Sequence, residues 1–136
     1  TMENWTDSYL LGIREIDEQH RGFFELWENE CRSADLNNYD QLKNIIDKLE
    51  EYVLDHFRTE EDLLRKSGYA DIESHIAQHA FFIQKVSEMK LELNYKNMLL
   101  FDKLTMFIKK WFLSHIMQTD RKYRDEVISY LSSNSQ

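Results

Sequence analysis

The chain has 136 residues, of which 42% are hydrophobic and 31% charged, and this length and composition are typical of one globular domain. The formal net charge is −8, and the absence of a basic cluster argues against nucleic acid or an anionic membrane surface as a partner. Without proline and with only three glycines, the chain favours long helices over a sheet that needs many turns. We therefore expect a single all-α domain over residues 1–136.

Cysteine usage and targeting signals indicate the compartment. Cys31 is the only cysteine, so an internal disulfide is impossible and a reducing compartment fits. The sequence shows no signal peptide and no apolar run of about 18 residues that could span a membrane. We expect a cytoplasmic protein with no membrane segment. Thr1 precedes Met2, and we expect Met2 to be the natural first residue of a stand-alone protein.

Four apolar stripes at helical spacing follow one another along the chain, and each predicts one helix. The stripes cover residues 16–31, 42–64, 75–89 and 100–115. Polar residues 35–40 and a lapse at residues 94–97 separate them. An N-terminal arm (1–16) precedes the first helix, and a short C-terminal helix (123–131) and a polar tail (132–136) follow the last. Four helices with short connections predict an up-down-up-down four-helix bundle.

Three residues are predicted to mark helix ends. Asp17 and Asp71 have side chains that can accept hydrogen bonds from free backbone N–H groups, so each is a candidate N-cap. Gly68 follows the second stripe and can adopt the left-handed conformation that ends many helices.

All five histidines of the chain lie on the apolar stripes. They are His20, His56, His75, His79 and His115. A single histidine in such a position is most often a core residue with its own hydrogen-bond partner. Five of them, spread over four helices, would need five buried partners. A shared metal ion is the simpler partner, because neutral imidazole is a good metal ligand.

Two acidic residues accompany these histidines. Glu60 follows His56 by four residues, so both lie on one helix face, while Glu61 is turned about 100° away toward solvent. A buried, unpaired carboxylate would cost several kcal/mol, although nearby arginines offer an alternative partner for Glu60. Asp120 follows His115 by five residues, about 140° past its face in a regular helix. The two can share a site only if a bulge or a helix end lies between them; otherwise Asp120 is a surface residue.

The number of candidate ligands decides what kind of metal site they suit. Five imidazoles and two carboxylates exceed the four ligands of one tetrahedral zinc ion. They suit two six-coordinate ions that both carboxylates bridge. If an oxide or hydroxide also bridges, each ion already has three ligands, and five histidines divide as three and two. One ion then has an open position for a small ligand.

The order and spacing of these residues closely resemble those of the hemerythrin family, in particular its bacterial members. The elements of the pattern are His20, His56-Phe57-x-x-Glu60, His75-x-x-x-His79 and His115-Ile116-x-x-x-Asp120. The arm with Trp5, the Gly12-Ile13, Ile16-Asp17 and Gln19-His20 pairs, and Trp111 four residues before the last histidine also fit the family. The resemblance covers nearly the whole chain and fills every ligand position.

The resemblance implies a non-haem centre of two Fe ions with a bridging oxide or hydroxide, which binds O2 reversibly for carriage, storage or delivery and is not an enzyme. Three histidines would hold one iron, two would hold the iron with the open position, and both carboxylates would bridge. These sets are His75, His79 and His115; His20 and His56; and Glu60 and Asp120. O2 and small anions such as azide are the expected ligands. Candidate walls of the O2 pocket, each of which could equally be plain core, are Phe23, Phe57, Trp111 and Ile116.

Other interpretations use part or all of the same residues. A ferritin-like oxidase or oxygenase would carry Glu-x-x-His pairs on two helices, and no such pair lies on these stripes. A haem-binding bundle needs two axial histidines and would leave Glu60 and three imidazoles without a role. O2 or redox sensing, iron handling and peroxide scavenging would use the same di-iron site and stay open. The sequence does not identify a protein partner.

Overall fold

The computed structural model describes residues 5–93 and 99–134. The first residues of the predicted arm, the predicted lapse at residues 94–97 and the end of the polar tail lie outside these ranges. Within them the chain forms five α-helices and no strand. The helices are α1 (Arg14–Arg32), α2 (Tyr39–Ser67), α3 (Ile72–Glu92), α4 (Leu100–Ser114) and α5 (Arg124–Asn134). None of the described helices is long and apolar enough to cross a membrane.

Helices α1 to α4 form the bundle that the four stripes predict. Helix α1 packs against α2 and α4, α3 packs against the same two helices, and α2 also contacts α4. The short C-terminal helix α5 packs against α2. The predicted all-α four-helix bundle is thereby confirmed.

The start of α1 differs from the prediction. The helix begins at Arg14 with Ile13 in the N-cap position, so the prediction of Asp17 as N-cap is wrong. The Asp17 carboxylate instead lies in the first helical turn and accepts the backbone N–H groups of Leu11, at 2.8 Å, and Gly12, at 3.0 Å. The physical reason is that the arm runs close to the first turn of α1, so the Asp17 carboxylate accepts the free backbone N–H groups of the arm rather than those of the helix. Asp17 therefore fastens the arm to the bundle.

The other predicted helix ends lie where the sequence placed them. Gly68 ends α2 with φ 68° and ψ 32°, the left-handed conformation that glycine adopts without a steric cost. Asp71 occupies the N-cap position of α3, but its side chain makes no capping hydrogen bond within the described ranges. The N-cap of α2 is Asn38, whose side chain accepts the N–H of Gln41 at 3.1 Å.

Two apolar clusters divide the interior along the bundle axis. The larger cluster lies among all four helices and includes Phe23 and Phe57. The smaller one joins the arm, the end of α2 and α5, and includes Ile16 and Leu64. On α1, His20 lies between Ile16 of the smaller cluster and Phe23 of the larger one. On α2, Glu60 lies between Leu64 of the smaller cluster and Phe57 of the larger one. The two polar side chains, His20 and Glu60, therefore lie between the two apolar clusters.

Helix α4 does not end as a regular helix. After Ser114 the chain makes a π-helical turn, His115–Thr119, and then a 3-10 turn, Asp120–Tyr123. The backbone N–H of Asp120 donates to the carbonyl of His115, five residues earlier. A π turn holds more residues than an α turn, so it returns Asp120 to the face of His115. This is the distortion that a shared site requires.

Candidate metal centre

The seven predicted ligand residues converge in the interior of the bundle. Each is buried, with at most 3% of its surface exposed. They form two groups, and within each group the candidate ligand atoms lie within 4.8 Å of one another. One group is Glu60, His75, His79 and His115, and the other is His20, His56, Glu60 and Asp120. We call them the three-histidine half and the two-histidine half of the centre.

One oxygen of Glu60 lies near all three imidazoles of the three-histidine half. Its Oε1 atom lies 2.7 Å from His75 Nε2 and 2.9 Å from His79 Nε2. His115 Nε2 lies 3.7 Å from the same oxygen and 3.1 Å from His79 Nε2. Two imidazoles from α3 and one from the π turn after α4 therefore turn the same ring nitrogen, Nε2, toward one carboxylate oxygen.

The two-histidine half uses the remaining oxygens of the same carboxylates. His20 Nε2 lies 3.1 Å from His56 Nε2 and 3.1 Å from Asp120 Oδ2. His56 Nε2 lies 3.5 Å from Glu60 Oε2, while Asp120 Oδ1 lies 2.9 Å from His115 Nε2. Each carboxylate therefore turns one oxygen toward each half, which is the arrangement of a bridging ligand.

Hydrogen bonds account for only part of the way these buried atoms face one another. Both side-chain oxygens of Asp120 lack a hydrogen-bond partner among the described residues, although imidazole nitrogens lie 2.9 Å and 3.1 Å away. Pairs of Nε2 atoms also face each other at 3.1 Å, and a neutral imidazole carries one proton on its two nitrogens. Buried lone pairs and carboxylates are stabilised when cations lie between them. The residues present therefore fit a pair of metal ions.

The charges in the centre support the same interpretation. Burial opposes the charged form of Glu60, but the surrounding imidazoles hold its pKa well below the usual value. Burial also lowers the pKa values of His75 and His115, yet the two carboxylates outweigh it and raise them to about 9 and about 10. At His20 burial dominates and lowers the pKa. The two carboxylates thus favour positive charge inside the centre. Protons on the histidines supply this charge without metal, and metal ions can replace those protons.

Three imidazoles are also held from outside, by side chains that the sequence analysis did not identify as partners. The Nδ1 atoms of His56, His79 and His115 lie 2.6 Å from Gln19 Oε1, 2.8 Å from Glu61 Oε2 and 3.2 Å from Gln78 Oε1, respectively. An Nδ1–H that donates outward leaves Nε2 as the lone pair that faces the centre. In the sequence, Gln19, Glu61 and Gln78 each adjoin a predicted ligand, and Gln19 also belongs to the pair Gln19-His20 that fits the family. Neither signal identifies the histidine that each side chain contacts.

The expectation that Glu61 faces solvent is wrong. Its side chain is only 21% exposed, because α3 packs against this side of α2 and brings His79 to it. The helical turn of about 100° between Glu60 and Glu61 therefore brings Glu61 to the other ring nitrogen of His79 rather than to open solvent.

Three of the predicted pocket residues lie near the three-histidine half. Phe57 stacks on His79 with ring centroids 3.7 Å apart, and Trp111 stacks on His115 with centroids 4.7 Å apart. Ile116 directly follows His115 and is fully buried in the larger apolar cluster. Whether these residues wall an O2 pocket stays a prediction.

The aromatic residue nearest the two-histidine half is one that the sequence analysis missed. The ring of Phe112 stands edge-on to His20, at 5.5 Å between centroids, and to His56, at 5.4 Å. Phe23 packs against Phe112 at 4.6 Å and so forms the next layer. Phe112 precedes His115 by three residues, a spacing that places both on one helix face and could have revealed it.

A protein-family model covers most of the chain and all seven converging residues. The hemerythrin HHE cation binding domain matches residues 11–126. The chain belongs to the hemerythrin family. Hemerythrins are known for O2 binding at a di-iron site, and the histidine and carboxylate groups described above are compatible with metal binding.

Individual hemerythrins resemble the chain over most of their length. It is 34% identical to the bacteriohemerythrin of Clostridium acetobutylicum over 126 residues, which cover 89% of this chain and 98% of that protein. It is 32% identical to a hemerythrin-like protein of Naegleria gruberi over 121 residues, which cover 89% of this chain and 90% of that protein. A crystal structure of wild-type hemerythrin shares the fold, with a TM-score of 0.77 at 24% identity over 93% of this chain and 98% of that one.

Proposed function

We propose that this protein binds O2 reversibly at a non-haem di-iron centre, for O2 carriage, storage or delivery, and is not an enzyme. The supporting observation is that five imidazoles and two carboxylates meet in a buried site where each carboxylate faces both halves. We assign His75, His79 and His115 to one iron, His20 and His56 to the other, and Glu60, Asp120 and an oxide or hydroxide as bridges. The cytoplasmic location stays a prediction.

The division of the histidines determines where O2 binds. A pair of ferrous ions, when bound, supplies the electrons that reversible O2 binding requires. The two-histidine half has one imidazole fewer, so an iron held there by His20 and His56 would keep a position open for a small ligand. Small anions such as azide are expected to occupy the same position in the oxidised protein.

Buried apolar side chains keep water away from this position. Phe112 and Phe23 are fully buried and form two layers beside His20 and His56. Water that entered would supply protons, which favour the reduction of O2 over its release unchanged. The apolar layers therefore favour the release of O2 unchanged, which a carrier requires.

Tyr123 steadies the carboxylate that both halves share. Its hydroxyl donates a hydrogen bond of 2.7 Å to Glu60 Oε2, and the side chain is fully buried. Burial, together with the negative charges of Glu60 and Asp120, raises the pKa of Tyr123 well above the usual value. The hydroxyl thus keeps its proton and continues to donate to the oxygen that faces His56.

An anaerobic spectroscopic cycle tests the proposal. Metal-free protein is loaded with ferrous iron, and its visible spectrum is recorded before O2, after O2 and after argon. We expect an absorption band that appears with O2 and disappears under argon over several cycles. Zinc-loaded protein is the control. Zinc would be bound by the same residues but cannot transfer electrons to O2, so no band should appear. Irreversible O2 consumption that needs reductant in every cycle would contradict O2 carriage and favour an oxidase or a peroxide scavenger.

A further inference from the structure

Side chains of α2 contact both ring nitrogens of His79. Its Nε2 atom lies 2.9 Å from Glu60 Oε1, and its Nδ1 atom lies 2.8 Å from Glu61 Oε2. The ring also stacks on Phe57 with an interplanar angle of 8°. Two consecutive glutamates and an aromatic residue of one helix therefore fix the orientation of this imidazole, and a metal ion at Nε2 would leave the proton on Nδ1, facing Glu61.

Glu61 differs in charge from the other two residues that accept an Nδ1–H. His56 and His115 donate to the neutral amide oxygens of Gln19 and Gln78, whereas His79 faces a carboxylate. An imidazole that donates to a carboxylate becomes a more basic and more strongly electron-donating ligand. Arg65 lies 3.5 Å from the other Glu61 oxygen, but it is 61% exposed, so solvent screens much of its opposing charge.

We infer that Glu61 is a positioning residue that makes the iron of the three-histidine half easier to oxidise than the iron of the two-histidine half. The inference rests on the proposed function, because it assigns His79 to one iron of the pair. A carboxylate behind His79 stabilises the ferric state of that iron, while the amide behind His56 gives its neighbour no equivalent stabilisation. The two halves then differ in redox potential as well as in the number of their ligands.

The test compares Glu61→Gln with Asp62→Asn. The first variant keeps an oxygen acceptor for His79 but removes the charge. The second removes the same charge one residue further along α2, where Asp62 is 61% exposed and pairs with Lys66. Circular dichroism checks that both fold, and redox titration of iron-loaded protein gives the midpoint potentials. Ferrous iron binding to metal-free protein gives the affinity.

We expect Glu61→Gln to weaken iron binding about tenfold, as is common when a partner of a metal-bound histidine is lost. We also expect one of the two potentials to rise, by about 59 mV if the preference for ferric over ferrous iron falls tenfold. Asp62→Asn should change neither. Equal shifts in both variants, or no shift in either, would overturn the inference.

A second measurement applies if Glu61→Gln holds too little iron for titration. Nitrogen-15 NMR of zinc-loaded protein reports the Nδ1–H of His79 directly, and its signal should shift in Glu61→Gln but not in Asp62→Asn. An unchanged His79 signal would overturn the inference. Wild-type protein that fails to bind two irons or O2 would instead refute the proposed function, so the two failures are distinguishable.

Discussion

The two halves of the centre share two carboxylates but hold their histidines in different ways. In the three-histidine half, two imidazole rings stack on aromatic side chains, with centroids 3.7 Å and 4.7 Å apart. In the two-histidine half, both rings meet Phe112 edge-on, at 5.5 Å and 5.4 Å. Stacking covers the face of an imidazole and fixes it, whereas the second half has one imidazole fewer and an apolar ring beside it. The comparison supports the proposal that one half retains its metal while the other admits a ligand.

Hydrogen bonding at Nδ1 does not by itself separate the halves. One histidine in each half, His20 and His75, has an Nδ1 atom without a partner among the described residues. The difference lies in the charge of the partners that are present. Glu61 places a negative charge behind the three-histidine half, and Gln19 places a neutral amide behind the other.

The largest effect is expected from Glu60→Gln, because it weakens both halves at once. An amide has one oxygen where the carboxylate has two anionic oxygens, and each of those faces a different half. Iron analysis should show that the variant loses the pair of irons. Asp62→Asn is the control, since it removes a charge on the same helix without contact to a histidine and should keep both irons. A full pair of irons in Glu60→Gln would show that Glu60 does not bridge.

A smaller effect is expected from Tyr123→Phe, which removes one hydrogen bond from the shared carboxylate. Hydrogen bonds to charged groups contribute about 1.5–3 kcal/mol, so iron should dissociate about tenfold or more faster under a chelator. The oxygen concerned faces His56, so the two-histidine half should lose its iron first. Tyr69→Phe removes the same group in the same apolar cluster and should leave the rate unchanged. Equal rates in the two variants would contradict the role of Tyr123.

Phe112→Leu sharpens the comparison without touching a ligand. The smaller side chain opens space beside His20 and His56, so the oxygenated form should decay several-fold faster to the oxidised form. Phe82→Leu is the control, because Phe82 contacts Phe57 and other aromatic rings in the same apolar cluster. Both variants should lose about 1 kcal/mol of stability, and only Phe112→Leu should change the rate of decay. Similar rates would mean that Phe112 does not protect the site.

The smallest effect on the centre is expected from Gly68→Ala. The left-handed conformation at this residue costs a residue with a Cβ about 1–2 kcal/mol, and no neighbouring atom lies within 4 Å of the added carbon. Chemical denaturation should show this loss of stability, while iron content and O2 binding stay unchanged. A loss of iron from either half would mean that the α2–α3 turn affects the centre.

The sequence predicts the bundle and the candidate ligands well because both depend on helical periodicity. His20, His56 and His115 lie on apolar stripes, so packing of those stripes brings them inward together. Periodicity also shows that Asp120 can join His115 only through a distorted helix end, but it leaves open whether that distortion forms. The family resemblance supplies the roles that periodicity alone leaves open.

Residues that act through contacts between helices could not be predicted in this way. Glu61 follows Glu60 in the sequence, and only the packing of α3 decides that it meets His79 rather than solvent. Gln19 and Gln78 likewise contact histidines of a neighbouring helix. Their partners depend on the distance and rotation between neighbouring helices. The order of residues along one helix does not determine either quantity.

The stoichiometry of O2 uptake tests the central claim most directly. Anaerobic, ferrous protein with both irons bound is titrated with dissolved O2 in a sealed cell, and the gas released under argon is then measured. With one open position in the two-histidine half, each chain should take up one O2 and return it unchanged. Uptake of one O2 per iron would contradict the division of histidines into three and two. Uptake without return would contradict reversible binding.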